Sequence, residues 1–209
     1  MVSSKKRTYV SEVRQRQADE TRIRIASAAL KLLQRKGYAG MTMEAIAQAA
    51  GVAVPTVYAI FRSKTGILAE ILDNSRFGES YQEAVKEVLD ANDPRERLKR
   101  VARLASTIHE SEDSVLNLLR GVEAVAPELA EQDQKLSKHR YEVQEFLVSG
   151  LANAGYLRSE LNVTQARDIL WSLTSRDLYC LLVSERGWTP KEYEEWLART
   201  LLETLTKKS

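Results

Sequence analysis

The sequence predicts an all-α protein of about nine helices. Three observations carry that expectation. Apolar residues recur at helical spacing along the chain, and no run alternates as a half-buried strand would. No Asn-Gly or Asp-Gly pair stands ready to turn a hairpin. The prolines sit at helix starts: Pro94 and Pro190 each follow a capping residue, Asp93 and Thr189, and precede a glutamate at the third helical position, Glu96 and Glu192. A glutamate there reaches back to the cap's own amide, a reciprocal box that nucleates a helix.

The elements follow in order. A first helix runs from about Ala18 to Lys36 and stops at Gly37, after the basic pair Arg35 and Lys36. Two short helices come next, from about Met43 to Ala50 and from about Val54 to Arg62. A longer one is expected from about Lys64 to Asp90. Five more span about Pro94 to Glu110, Asp113 to Ala126, Pro127 to Ala154, Val163 to Glu185 and Pro190 to Thr206. Asn162 with Gln165 is a further, weaker capping box.

Composition narrows the class. A chain of 209 residues, 44% hydrophobic and 29% charged, can bury a sizeable core and makes one or two domains. Nothing approaches the roughly 18 to 20 unbroken apolar residues that cross a bilayer, and Met1 to Glu20 has no apolar segment of a signal peptide. The expected address is the cytoplasm, with no membrane partner. Cys180 is the sole cysteine, so no intrachain disulfide can form. The net charge of +2 conceals an asymmetry: Met1 to Lys64 holds 12 Lys plus Arg against 4 Asp plus Glu, and the rest holds 19 against 25. Such a field draws a polyanion to one end of the molecule.

The stretch from Met43 to Phe61 explains what that end is for. Met43, Ile46, Ala47 and Ala50 fall at i, i+3, i+4 and i+7, one apolar face of a two-turn helix begun by Thr42 as N-cap. Gly51 ends it in a left-handed backbone. A second short helix then buries Val57, Ile60 and Phe61. This is helix-turn-helix spacing, in which small Ala47 lets the two helices cross closely. An ordinary core hairpin needs neither that spacing nor the surface it carries. Outward on the second helix stand Val54, Pro55, Thr56, Tyr58 and Ala59, followed by Arg62, Ser63 and Lys64. Thr56 and Tyr58 can donate to phosphates or base edges, and Val54, Pro55 and Ala59 can touch thymine methyls. The helix start at Arg62, Ser63 and Lys64 favours phosphate, as does the one at Thr42. Lys5, Lys6, Arg7, Arg14 and Arg16 form either a minor-groove arm or a solvated tail.

Arg24-Ile25, Ala28-Ala29-Leu30, Lys36-Gly37-Tyr38, Thr42-Met43, Ile46-Ala47, Ala50-Gly51-Val52, Thr56-Val57-Tyr58, Phe61 and Ser63-Lys64 together resemble the TetR (tetracycline-repressor-like) family. The likeness covers roughly Arg22 to Leu68. It implies a helix-turn-helix domain over residues 1–64 and a helical effector-binding and dimerisation domain over 65–209. It further implies a homodimer whose two reading helices enter successive major grooves of a palindromic DNA operator, as a repressor released by a small-molecule effector. By position, Pro55, Thr56, Tyr58 and Lys64 match residues that contact DNA in relatives. Ala59 and Ile60 depart from the aromatic and histidine common there, so readout leans on van der Waals contact. Ala53 replaces the usual Ser cap, at about 1 kcal/mol of helix-start stability.

In the remainder, Leu178 to Val183 is apolar nearly all round, which calls for cover on both sides. Tyr193, Trp196, Leu197, Thr200, Leu201 and Thr204 make one stripe of the last helix. Trp171, Leu178, Cys180, Leu181, Leu182, Trp196, Leu197 and Leu201 are therefore the expected dimer face, unless these helices only close the chain's own core. His109, Asn117, Arg120, Tyr141 and Phe146 are candidate effector contacts, by analogy alone. The histidines stand far apart with no cysteine or acidic cluster, so no metal is expected. No phosphate loop, dinucleotide fingerprint or nucleophile elbow points to a cofactor or to an enzyme. Two other readings stay open: a constitutive DNA-binding regulator whose second domain only dimerises, and a helical carrier or enzyme whose basic end is incidental.

Overall fold

A computed structural model describes the backbone of residues 3–116, 118 and 126–207, and side chains over 15–116, 118 and 134–207. Ten α-helices are described: α1 (Ser3–Gly40), α2 (Met43–Ala50), α3 (Val54–Phe61), α4 (Lys64–Arg76), α5 (Glu79–Asp90), α6 (Pro94–Leu116), α7 (Ala126–Asn153), α8 (Val163–Leu173), α9 (Arg176–Tyr179) and α10 (Pro190–Leu205). A π-helical turn, Cys180–Glu185, follows α9. Among the described residues the strand-like pairing is one isolated bridge, Leu157 to Thr206. The all-α expectation holds. No single helix there is long and apolar enough to cross a membrane.

Four boundaries differ from expectation. α1 begins at Ser3, so the basic amino end is its first turns, and its regular geometry breaks at Gly37 (φ 66°, ψ −179°). The expected long fourth helix is two, because Gly78 is extended (φ −70°, ψ −166°) and starts α5. A glycine loses the most backbone entropy inside a helix, so the chain breaks there. α6 instead runs through Ser111 and Glu112 with no interruption, since no glycine or proline stands between Pro94 and Leu116. The expected helix from Val163 to Glu185 ends at Leu173: Thr174 bonds its hydroxyl back to Leu170 O at 2.7 Å, and Ser175 restarts the chain by capping Leu178 N.

The chain forms two compact units, residues 1–72 with 115–128, and residues 73–114 with 129–209. In the first, α1 packs on α2 and α2 on α3, with Ile25, Ala29, Leu33, Ile46, Val57 and Phe61 buried. In the second, Leu98, Ala102, Val148, Leu151, Ala166, Leu170, Leu197 and Leu201 belong to one apolar core. Tyr193, Leu197, Leu201 and Leu205, at steps of four, form the wholly buried face of α10, which opens with the expected Thr189–Glu192 capping box. The Asn162–Gln165 box is also formed.

Candidate nucleic-acid interface

α2 starts because Thr42 Oγ1 accepts from Ala45 N at 3.1 Å, satisfying one of the free amides of the first turn. It stops at Gly51, which is left-handed (φ 64°, ψ 40°) and lets Val52 N bond Ala47 O at 3.0 Å. The chain re-enters a helix through Ala53, which has no side-chain cap, with Pro55 in the first turn of α3. α2 and α3 meet at 108°, within the range of helix-turn-helix units. Ala47 is buried at the crossing, where a larger side chain would push the helices apart.

α3 has two faces. Val57 and Phe61 are buried, and Ile60, expected to be buried, is only half-buried. Pro55, Tyr58, Ala59 and Arg62 are exposed at i, i+3, i+4 and i+7, a single outward stripe. Tyr58 is 47% exposed, which leaves its hydroxyl in water. Val54 and Thr56 are half-buried beside that stripe, and Thr42 and Ser63 are exposed. Arg62 has φ 61°, a positive value that costs a side-chain-bearing residue energy. Ser63 Oγ then accepts from Gly66 N at 3.0 Å and caps α4.

Lys64 is placed differently from its neighbours. Its Nζ donates to Tyr38 O at 2.7 Å and lies 3.9 Å from the Tyr38 ring centre. Burial pushes its pKa below the ordinary lysine value. The ammonium is therefore held in one position. Sequence reading missed Tyr38 in this role, and no spacing rule pairs residues so far apart. It also missed Arg22, which bonds Glu70 Oε2 at 2.6 Å and lies over the Phe61 ring at 5.0 Å.

The candidate effector residues fall in separate surroundings. His109 is buried, with Nδ1 at 3.3 Å from Glu112 Oε2 and Nε2 at 3.1 Å from Thr174 O. Tyr141 is half-buried, donates to Asp168 Oδ1 at 2.7 Å, and lines an open groove of about 450 Å³ with Ser137, Lys138 and Trp171. Phe146 is 58% exposed, with Arg97 at 5.2 Å from its ring centre. Asn117 and Arg120 lie outside the described residues. Of the expected dimer face, Leu197 and Leu201 are wholly buried within the single chain. Trp171, Leu178, Cys180, Leu182 and Trp196 are half-buried, and Leu181 is exposed, so the apolar run before the last helix is not covered all round. Burial pushes the Cys180 thiol up, away from the reactive thiolate. Among the described residues no group of His, Cys, Asp and Glu could hold a metal.

Comparison with known proteins agrees with this geometry. Residues 25–71 match the family of bacterial regulatory proteins, tetR family. No curated relative matches the chain. Among solved structures, the chain is similar to NalD of Pseudomonas aeruginosa, the secondary repressor of the MexAB-OprM multidrug efflux pump. That match has a TM-score of 0.67 and 22% identity over 92% of this chain and 98% of NalD. A putative transcriptional regulator from Saccharomonospora viridis, in complex with choline, gives TM-score 0.67 and 22% identity over 91% of this chain and 100% of that one. FadR from Bacillus subtilis, in complex with stearoyl-CoA, gives 0.62 and 18% over 86% and 97%. At these identities the structures show a shared fold. The segment 25–71 is similar to the tetR-family module, and the rest of the chain is linked to these regulators by fold alone.

Proposed function

We propose that the chain is a repressor that binds a palindromic DNA operator as a homodimer and is released by a small-molecule effector. The observation that carries this is the outward stripe Pro55, Tyr58 and Ala59 on α3, with Arg62 exposed just past its end, beside the exposed caps Thr42 and Ser63. A narrow helix face of that kind fits a major groove, with Val54 and Thr56 at its edge. Lys64, pinned on Tyr38, gives a fixed positive charge where a phosphate would lie. The reading part is taken as residues 1–64 and the sensing and pairing part as 65–209.

Leu178, Cys180, Leu181, Leu182, Trp171 and Trp196 keep apolar surface open to a second copy, whereas Leu197 and Leu201 serve the chain's own core. α4 follows the reading helix at Lys64 and ends at Arg76, which is paired with Glu112 of α6. A ligand that moved α6 would act on the far end of that helix. Relatives crystallised with choline and with stearoyl-CoA support a ligand-responsive second domain.

The test is selection from a random duplex pool, followed by fluorescence anisotropy. The wild-type chain should enrich a sequence with two-fold symmetry. Tyr58→Ala and Lys64→Ala should bind that duplex about tenfold more weakly or worse, with the dimer intact by sedimentation. Enrichment of nothing, or unchanged binding by both variants, overturns the assignment.

A further inference from the structure

α7 and α8 interlock along the open groove of the second unit, about 450 Å³ in volume. That volume lies within the range of about 300–1,000 Å³ usual for small-molecule sites. The lining is mostly apolar, and Tyr141 and Trp171 supply its rings, which meet nearly at a right angle (87°, centres 6.3 Å apart). The polar group of each ring is already bonded across the groove. The Tyr141 hydroxyl donates to Asp168 Oδ1 at 2.7 Å, and Trp171 Nε1 donates to Ser137 O at 3.3 Å. These bonds set Tyr141 against Asp168 and Ser137 against Trp171, so the two helices pass in opposite directions. The walls are held in place by the chain itself, which spares a ligand the cost of ordering them.

The charges around the groove select the sign of a ligand. A pair of aromatic rings can hold an organic cation over its faces. Here both rings already carry one. The Arg167 guanidinium lies 4.1 Å from the Tyr141 ring centre, and the Arg140 guanidinium lies 5.3 Å from that of Trp171. A further cation would have to share rings that are taken. Asp168 stands at the Tyr141 end of the groove. At the Ser137 end Lys138 is exposed on the rim, and it forms no ion pair among the described residues. The groove is therefore apolar along its length, with a carboxylate at one end and an uncommitted ammonium at the other.

We propose that this groove binds a planar aromatic anion of one or two rings. The ring system lies against Tyr141 and Trp171 in offset or edge contact. The anionic group reaches Lys138 and is turned away from Asp168. Lys138 is in water, so its charge sets the ligand's orientation and adds a modest share of the affinity, and the rings supply the rest. As a binding site the groove stands without the reading above. As the effector site it rests on the ligand-responsive part of that reading and names the class of ligand.

The test is isothermal titration calorimetry of the full-length protein with naphthoate, naphthylmethanol and naphthylmethylammonium, substituted at the same ring position. Naphthoate should bind saturably and about three- to fivefold more tightly than the alcohol, with the ammonium weaker than both. High salt should narrow the gap between acid and alcohol. Lys138→Met keeps the stem and removes the charge, so it should bind the acid and the alcohol alike. Ser172→Phe puts a ring into the groove from an exposed position. It should bind naphthoate about tenfold more weakly or worse, with melting temperature and sedimentation unchanged. Four results overturn the proposal: no saturable binding of naphthoate, an alcohol or ammonium that binds as tightly, a Lys138→Met chain that still prefers the acid, or a Ser172→Phe chain that binds naphthoate as the wild type does. Loss of the dimer in Ser172→Phe also overturns it, since the groove then belongs to a second copy. Calorimetry involves no DNA, so failure to enrich a duplex defeats the regulator reading alone, and absence of naphthoate binding in a chain that binds its duplex defeats this one alone.

Discussion

The two units are held together by different chemistry. Every buried polar or charged residue described, namely Arg76, Ser106, His109, Glu112, Gln144, Thr174 and Thr206, belongs to the second unit. The first unit fully buries only apolar side chains over residues 15–72, and its polar contacts lie at caps, on the surface and at the half-buried Lys64–Tyr38 bond. An apolar core asks for volume and pattern. A polar core also asks for direction, because each donor must find its acceptor. The first unit is thereby held by shape, and the second also by pairings of fixed direction.

The largest test of that contrast is Glu112→Ala. It removes the carboxylate that the buried Arg76 guanidinium and His109 share, and should cost about 3–5 kcal/mol in urea unfolding. A loss under about 1 kcal/mol would break the contrast. Acid sharpens the same point. Burial pushes the Glu112 carboxyl up, but His109 and Arg76 beside it outweigh that and hold it below its ordinary 4.5. The folded state therefore binds fewer protons than the unfolded one around that pH. The resulting stability is present above 4.5 and is lost as pH falls through the lowered folded value. Acid titration of stability should show this loss in the wild type and not in Glu112→Gln.

In the first unit the largest effect should come from shape. A Cβ on Gly66 would stand 2.2 Å from the Phe61 carbonyl oxygen, a backbone atom that cannot swing away. Gly66→Ala should cost about 1–3 kcal/mol and loosen duplex binding, read by melting and anisotropy together. Thr42→Ala removes the α2 cap and should cost about 1 kcal/mol in urea. Arg22→Met deletes a half-exposed ion pair with Glu70 and should cost less than about 1 kcal/mol, shrinking further in high salt.

The same contrast governs what could be read from sequence. Thr42, Ala47 and Gly51 were legible because local backbone geometry admits few residue types at those positions. The capping boxes of α8 and α10 were legible for the same reason. The outward stripe of α3 followed from helical spacing once Val57 and Phe61 were placed inside. The break at Thr174 and the bonds that Arg140 and Gln144 make to it were not legible. They depend on partners from α6, α7 and α8 that meet only after folding. Lys64 was read as a phosphate-facing charge, but its anchor Tyr38 was not legible because it is distant in the chain.

Arg62 shows how these demands collide at one position. Its φ of 61° with ψ of −39° is a conformation glycine adopts freely and arginine does not. Its side chain is exposed at the end of the outward stripe. A laboratory that screened this site for heat tolerance would be drawn to glycine. One that screened for grip on a duplex would keep the arginine, so the two selections should recover different sequences from a single library.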